Sequence, residues 1–330
     1  MSVRQTTLKH CVTALCLGVF ASLCAGFVQA QKYPERPVKI IVPSGAGGGY
    51  DLMARAVARK LTEQMGESFF VENRVGAGTI VGTQAASVAP PDGHTLLVGG
   101  PSNIVFNAGL YKNLPYDPAR DFVAVNLVVT QPYALLARAD IAQPALVPLI
   151  DAIKKAPGKL SIATAGAGTG QHLGAVFFMK TTGTDMLVVH YKSAQQVFPD
   201  LVAGRVDLTV DTLGSARPLI DAGKVKLVAM ASAQRTALYP QVPTVRESGY
   251  PDFAVESWIG LFAPAKTPAP MIDRLRGEIE RTMKQPDFRA QMEGNGAQMI
   301  PLSGRESETF VKSEIARWTP LIRQAGITAE

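Results

Sequence analysis

Cysteine is confined to the first thirty residues of this 330-residue chain, where Cys11, Cys16 and Cys24 are its only three. Past Ala30 there is none. That excludes a disulfide framework, a thiolate nucleophile and a cysteine-ligated metal, so stability has to come from an ordinary core. Charge is sparse as well: 18% of residues are charged, and the formal +6 drops to +4 (6 − 2) without Arg4 and Lys9. No long basic run exists, and nucleic-acid surfaces need a concentrated patch, so nucleic acid is not an expected partner. Catalytic signatures are missing too. Gly45-x-Gly47-x-x-Tyr50 lacks the third glycine of a dinucleotide fingerprint, Gly76-x-Gly78-x-x-x-Gly82 is wrongly spaced for one, no Walker lysine follows either loop, and no Gly-x-Ser-x-Gly elbow occurs. The expectation is a protein that is not an enzyme and carries neither cofactor nor metal.

What is present begins with a targeting segment. Arg4 and Lys9 form a basic start, Cys11 to Phe27 is almost wholly apolar and small, and Val28-Gln29-Ala30 supplies a signal-peptidase site. Residues 1–30 therefore read as a signal peptide cut after Ala30, so export of the mature chain is expected; the run is short for a bilayer span. About 300 residues remain, enough for two domains in a soluble monomer.

The chain then repeats one grammar. Val38 to Val42 is a β-branched strand, Ser44 to Gly49 a glycine loop, and Asp51 a helix cap before an apolar face of Met53, Ala56, Val57 and Leu61. Bare backbone N–H groups at a helix start form a site for a small anion. Phe69 to Val71 is a second strand with a glycine loop at Gly76 to Thr79, and His94 to Val98 a third ending at Ser102 and Asn103. Alternating strand and helix implies a mostly parallel sheet, with ligands at the carboxyl ends of the strands.

An apolar segment from Phe122 to Ala137, interrupted by Pro132, crosses to a second unit of the same design. Its strands run from Leu160 to Thr164, Met186 to Tyr191, Val206 to Val210 and Val225 to Ala231, with loops at Ala165 to His172, Lys192 to Ala194, and Asp211. Glu256 to Phe262 crosses back, and two helices, Met271 to Lys284 and one opened by the capping box Ser303-x-x-Glu306, cover the first sheet. The fold class is α/β in two domains, each a mostly parallel sheet flanked by helices. Domain 1 spans 31–130 plus 257–330 and domain 2 spans 131–256. Two crossings act as a hinge, and the ligand cleft lies between the domains.

Single residues invite sharper readings. His172, His190 and Asp211 suggest a catalytic or metal set, but a histidine opening a helix commonly bonds its own loop. Strand alternation aims Tyr191 and Lys192 at the cleft and leaves His190 structural. Lys192 offers a formal charge to a carboxylate, and Arg55 has an ion pair on its own helix as its simplest use.

Ordered motifs carry a resemblance over essentially the whole mature chain. They are Pro43 to Arg55, Val71-Glu72-Asn73-Arg74 with Gly76 and Gly78, Pro91 to Leu96, Leu114 to Pro118, Gly168-x-x-x-His172, His190-Tyr191-Lys192 and Val242 to Val245. Together they resemble the Bug (TctC-type) family, the periplasmic solute receptors of tripartite tricarboxylate transporters. The resemblance implies a two-domain periplasmic-binding-protein fold (type II-like), a Venus flytrap in the periplasm that captures a small carboxylate, whether an organic acid, an acidic amino acid or an aromatic acid. It implies membrane permease subunits as partners, or a sensor kinase if the receptor serves signalling. The implied ligand-binding residues are Ser44, Gly45, Gly47, Gly48, Gly49, Tyr50, Ala77, Gly78, Thr79, Ser102, Asn103, Gly168, Thr169, His172, Lys192, Ser193, Ala194 and Asp211. The first loop departs from the family pattern at Tyr50, and Ser193-Ala194-Gln195 replaces a glycine-rich stretch, adding side-chain hydrogen-bonding groups.

Overall fold

The computed structural model describes residues 33–324 and Thr328. The signal peptide read at 1–30 lies outside the described residues. Among the described residues, those from Arg36 onward form one compact unit.

The opening strand β1 (Val38–Val42) is nearly all buried and lies between β2 (Phe69–Asn73) and β3 (Thr95–Gly99), parallel to both. Helix α1 (Gly49–Met65) follows β1, and α2 (Ile80–Ser87) follows β2. The crossing strand β4 (Phe122–Arg138) is a single 17-residue strand. Pro132 does not break it. Residues Phe122 to Pro132 pair with β9 (Glu256–Pro264), and from Tyr133 onward the partners change. A residue without an N–H fits where one ladder ends and another begins.

In the second half of the sheet, β5 (Ser161–Thr164) runs parallel to β6 (Leu187–His190) and β7 (Leu208–Thr212), while β8 (Val225–Met230) and β7 flank β4 antiparallel. The parallel pairs are thus the repeated strand–helix units. The antiparallel pairs are all made by the crossing strands and by the short β10 (Gln298–Met299) on β4.

Both faces of the sheet are covered, so successive β4 residues enter different cores. Tyr133, Leu135 and Ala137 pack with Leu149, Ile153 and Phe178, and Ala134 and Leu136 with Val197, Leu201 and Leu213 on the other face. These cores bring in α3 (Leu146–Lys155), α4 (Gly170–Thr182), α5 (Ala194–Val202) and α6 (Leu213–Asp221). No helix was read between Asp211 and Val225, where α6 lies with Pro218 in its interior. Helices α7 (Ala269–Met283) and α9 (Gly304–Gln324) cover the first half as expected, with α8 (Pro286–Gly294) between them. Arg276 bolts them down, donating to the Ala124 and Val125 carbonyls of β4 and to Glu308 of α9. The expected capping box opens α9: Ser303 N–H donates to Glu306 at 2.8 Å, and Glu306 N–H to Ser303 Oγ at 3.3 Å.

Candidate functional site

Helix α1 begins at Gly49, two residues before the aspartate expected to cap it. Asp51 therefore sits in the first turn and reaches backwards. Its carboxylate accepts from Gly47 N–H at 2.9 Å, from Arg55 Nε at 2.9 Å and from Asn73 Nδ2 at 3.0 Å. Burial works against the ionised form, yet the hydrogen bonds from Arg55, Gly47 and Asn73 prevail and hold Asp51 below the usual carboxylate range. Asn73 also donates to the Ser44 carbonyl, so the glycine loop is clamped from both sides. The N–H groups of Gly49 and Tyr50, in the first turn, have no acceptor inside the helix.

Across the sheet, α4 presents a second such start. Thr169 is its N-cap, accepting from His172 N–H at 3.3 Å. Gly168 N–H donates to His172 Nδ1 at 3.2 Å, so that imidazole is the neutral tautomer with its proton on Nε2. Burial, and then the neighbouring His190 ring at 4.8 Å, push His172 down to about 4. The Gly170 N–H, which no helix carbonyl can satisfy, donates to Ser102 Oγ at 2.8 Å, joining the second half of the sheet to the first.

The third element is a left-handed turn. Ala77, Gly78 and Thr79 have φ of 45°, 58° and 79°, an unusual run in which two members carry a Cβ. Fully buried Asn107 holds it, donating to the Gly78 carbonyl at 3.1 Å and to Thr79 Oγ1 at 3.2 Å. Glycine is required at 78, since a Cβ there would lie 2.1 Å from the Ala167 carbonyl oxygen of the facing loop.

These elements enclose a cavity of about 580 Å³. Its wall contains Ser44, Gly45, Gly48, Gly49 and Tyr50, the turn Ala77 to Thr79, Ser102, Thr169, and Lys192 to Ala194. Gly47, Asn103, Gly168, His172 and Asp211 stand outside the wall. Gly47 donates to Asp51, Gly168 and His172 brace each other, and Asn103 Oδ1 accepts from Gly100 N–H at 3.0 Å. Asp211 lies buried behind the wall, where burial pushes its carboxyl up to about 7 against hydrogen bonds from Thr212 and Gln171.

Gln171, inside the Gly168 to His172 loop, also belongs to the wall, as do Tyr111, Tyr133 and Ser257, which the sequence reading left out. Tyr133 and Ser257 come from the crossing strands, whose inward face is set by pairing rather than by local pattern. Gln195, noted for its hydrogen-bonding side chain, also lines the cavity. His190, read as structural, does two things: its Nδ1 pairs with Thr164 Oγ1 at 2.7 Å, and its ring reaches the wall.

Lys192 is the only lysine or arginine among the lining residues, and it is exposed. Polarity inside is instead neutral: the Tyr50 hydroxyl bonds to Ser102 and the Tyr133 hydroxyl to Ser257, while Ser44 Oγ is buried without a hydrogen-bond partner. A buried hydroxyl left unpaired is costly. The two histidines and Asp211 form no metal-type cluster with other groups among the described residues.

Residues 53–327 match the sequence profile of the Tripartite tricarboxylate transporter family receptor. The chain is 35% identical over 316 residues to the UPF0065 protein in the tcbD-tcbE intergenic region of Pseudomonas sp. strain P51, covering 94% of each. Among solved structures it is similar to the periplasmic binding protein BugD, with 34% identity, TM-score 0.85, and 90% of this chain and 99% of that one covered. R. palustris Rpa4515 with adipate gives 30%, 0.86, 90% and 99% in the same order. MatC of Rhodopseudomonas palustris with bound malate gives 31%, 0.83, 88% and 100%. Among the described residues no helix is long and apolar enough to cross a membrane.

Proposed function

Since this chain belongs to the tripartite tricarboxylate transporter receptor family, we propose that it is an exported receptor that captures a small carboxylate and delivers it, unchanged, to the membrane subunits of such a transporter. The observation that carries the reading is the cavity enclosed by the starts of α1 and α4. Both helices point their positive ends at it, with the N–H groups of Gly49, Tyr50 and Gln171 lacking intrahelical acceptors, and no buried cation competes for the role. Backbone donors held by Asp51, Asn73 and Asn107 offer a carboxylate pre-oriented dipoles at little ordering cost. Adipate and malate in two similar structures support the ligand class.

The lobes of the receptor are residues 31–130 with 257–330 and residues 131–256, moving about the two crossings at Pro132 and Glu256. Closure brings the Gly45 loop against Ser193 and Gln195, and Gly78 against Ala167. Signal-directed export to the periplasm accounts for the segment 1–30.

A thermal-shift screen of organic, amino and aromatic acids tests the reading. One acid should raise the melting temperature with concentration and be recovered unchanged after incubation. A shift produced only by neutral sugars, or the appearance of a product, overturns it.

A further inference from the structure

Four of the chain's eight tyrosines, Tyr50, Tyr111, Tyr133 and Tyr191, line the cavity. Each hydroxyl is spent on the protein. Tyr50 bonds to Ser102 and Tyr133 to Ser257, Tyr191 donates to Asp200 Oδ2 at 2.6 Å, and Tyr111 donates to the Ala167 carbonyl at 3.4 Å. Tyr50 keeps part of its surface open although its hydroxyl is closed off, so what it shows the cavity is a ring.

Two of these rings are fixed by glycines. The Tyr111 ring is wedged between loops of both halves of the sheet: a Cβ on Gly168 would stand 3.1 Å from its Cε2, and one on Gly78 3.0 Å from its Oη. Tyr50 is wedged at Gly100, where a Cβ would fall 2.6 Å from its Cζ. Tyr50 also lies in the first turn of α1. One residue therefore offers its backbone N–H to a carboxylate and its ring to whatever that carboxylate is attached to.

This wall treats different ligand bodies differently. A compact polar acid finds the tyrosine hydroxyls already taken, so the polar groups along its body go short of partners. A flexible aliphatic acid buries apolar surface but loses rotor freedom in doing so. A flat ring buries similar surface without that loss, and it gains offset or edge-on contact with rings already held in place. The cavity, at about 580 Å³, has room for one.

We propose that the tyrosine wall selects a carboxylate whose body is an aromatic ring, held by its carboxylate at the helix starts and by its ring against Tyr50 and Tyr111. The inference rests on the carboxylate reading above and names the body which that reading left open. It sets this chain apart from the similar structures that hold malate and adipate.

Calorimetry with pairs that differ only in ring saturation tests it: benzoate against cyclohexanecarboxylate, and 3-phenylpropanoate against 3-cyclohexylpropanoate, with malate and adipate alongside. In at least one pair the aromatic acid should bind about fivefold tighter than its saturated partner, the worth of one ring contact, and should outbind both diacids. Tyr50→Leu and Tyr111→Leu should each bring that ratio toward one, whereas Tyr50→Phe and Tyr111→Phe should keep it, because the hydroxyls take no part. Both members of a pair are measured on the same variant, so a general loss of affinity cancels from the ratio. Should a Leu variant fail to fold, the parent's ratio and the Phe variants still decide. Saturated acids that match their aromatic partners in both pairs overturn the proposal, as does a diacid that outbinds all four. So does a ratio that both Leu variants leave intact or that the Phe variants abolish. If no acid binds here or in the wider screen, the carboxylate reading fails and this inference falls with it. Acids that bind without regard to the ring sink this inference alone.

Discussion

Ser102 and Gly170 come from opposite halves of the sheet, and the hydroxyl of one accepts the backbone N–H of the other at 2.8 Å. The donor is the first residue of α4, whose N–H no helix carbonyl can reach. One bond therefore completes a helix start and ties the two halves together.

Ser102→Ala should remove that tie and nothing larger. A typical buried hydrogen bond contributes about 1 kcal/mol, so affinity for the cognate acid should fall about fivefold. Stopped-flow measurements should place the loss in the dissociation rate, because the bond exists only once the halves have met. A loss confined to association would assign Ser102 to capture instead.

Two glycines separate filling the cavity from blocking its closure. Gly48 has extended backbone with φ −76°, and the nearest atom to an added Cβ is the Gly45 carbonyl at 3.4 Å. Gly48→Leu should fold with a melting temperature within a few degrees of the parent, yet lose binding because its side chain enters the cavity. Gly78→Ala meets the Ala167 carbonyl 2.1 Å away and a φ of +58°. It should bind at least tenfold more weakly and lose about 1 kcal/mol of stability. Normal affinity in both variants would remove these loops from the site.

The buried carboxyl of Asp211 sets a pH signature. Its folded value of about 7 lies above the ordinary 3.8, so the folded state binds the extra proton. Its contribution is fully present below about 3.8 and is lost as pH rises toward 7, a loss of at most roughly 4 kcal/mol. His172 acts oppositely. Pushed down to about 4 from 6.5, it favours the fold when neutral, and that contribution is lost as pH falls from 6.5 toward 4. The two slopes oppose each other between pH 4 and 6.5. Asp211→Asn should expose the histidine slope, with denaturation free energy rising over that interval, and should exceed the parent most at pH 8. Parallel profiles for parent and variant would mean that Asp211 ionises at its ordinary value.

The repeated strand and helix units were legible because each carries its own local signals: a β-branched run, a glycine loop, and apolar residues at helical spacing. So were the capping box at Ser303 and the loops that meet at the cavity. What escaped was decided at a distance. Asp51 has a capping residue's composition, but the helix starts at Gly49, so its carboxylate braces the loop instead of capping. Tyr133 and Ser257 look like any residues of apolar strands until the β4 and β9 pairing turns them inward. The left-handed run at Ala77 to Thr79 has no sequence mark beyond Gly76 and Gly78, because Asn107, some thirty residues on, holds it.

A covalent trap puts closure to the hardest test. Gly45 and Ser193 stand on facing loops, and a Cβ built on Gly45 falls 2.9 Å from Ser193 Cβ. Disulfides want about 3.8 Å between Cβ atoms, so a separation under 1 Å wider would admit the bond without unfolding either loop. No cysteine occurs after Cys24, so a mature chain bearing Gly45→Cys and Ser193→Cys has one possible intramolecular bridge. If the facing loops meet only when the lobes close, oxidation should proceed faster with a saturating acid than without it. The oxidised protein should then release that acid at least tenfold more slowly, and reduction should restore the parent rate. Bridging at the same rate with and without ligand would show that the loops touch at rest, and would place the moving parts elsewhere than at Pro132 and Glu256.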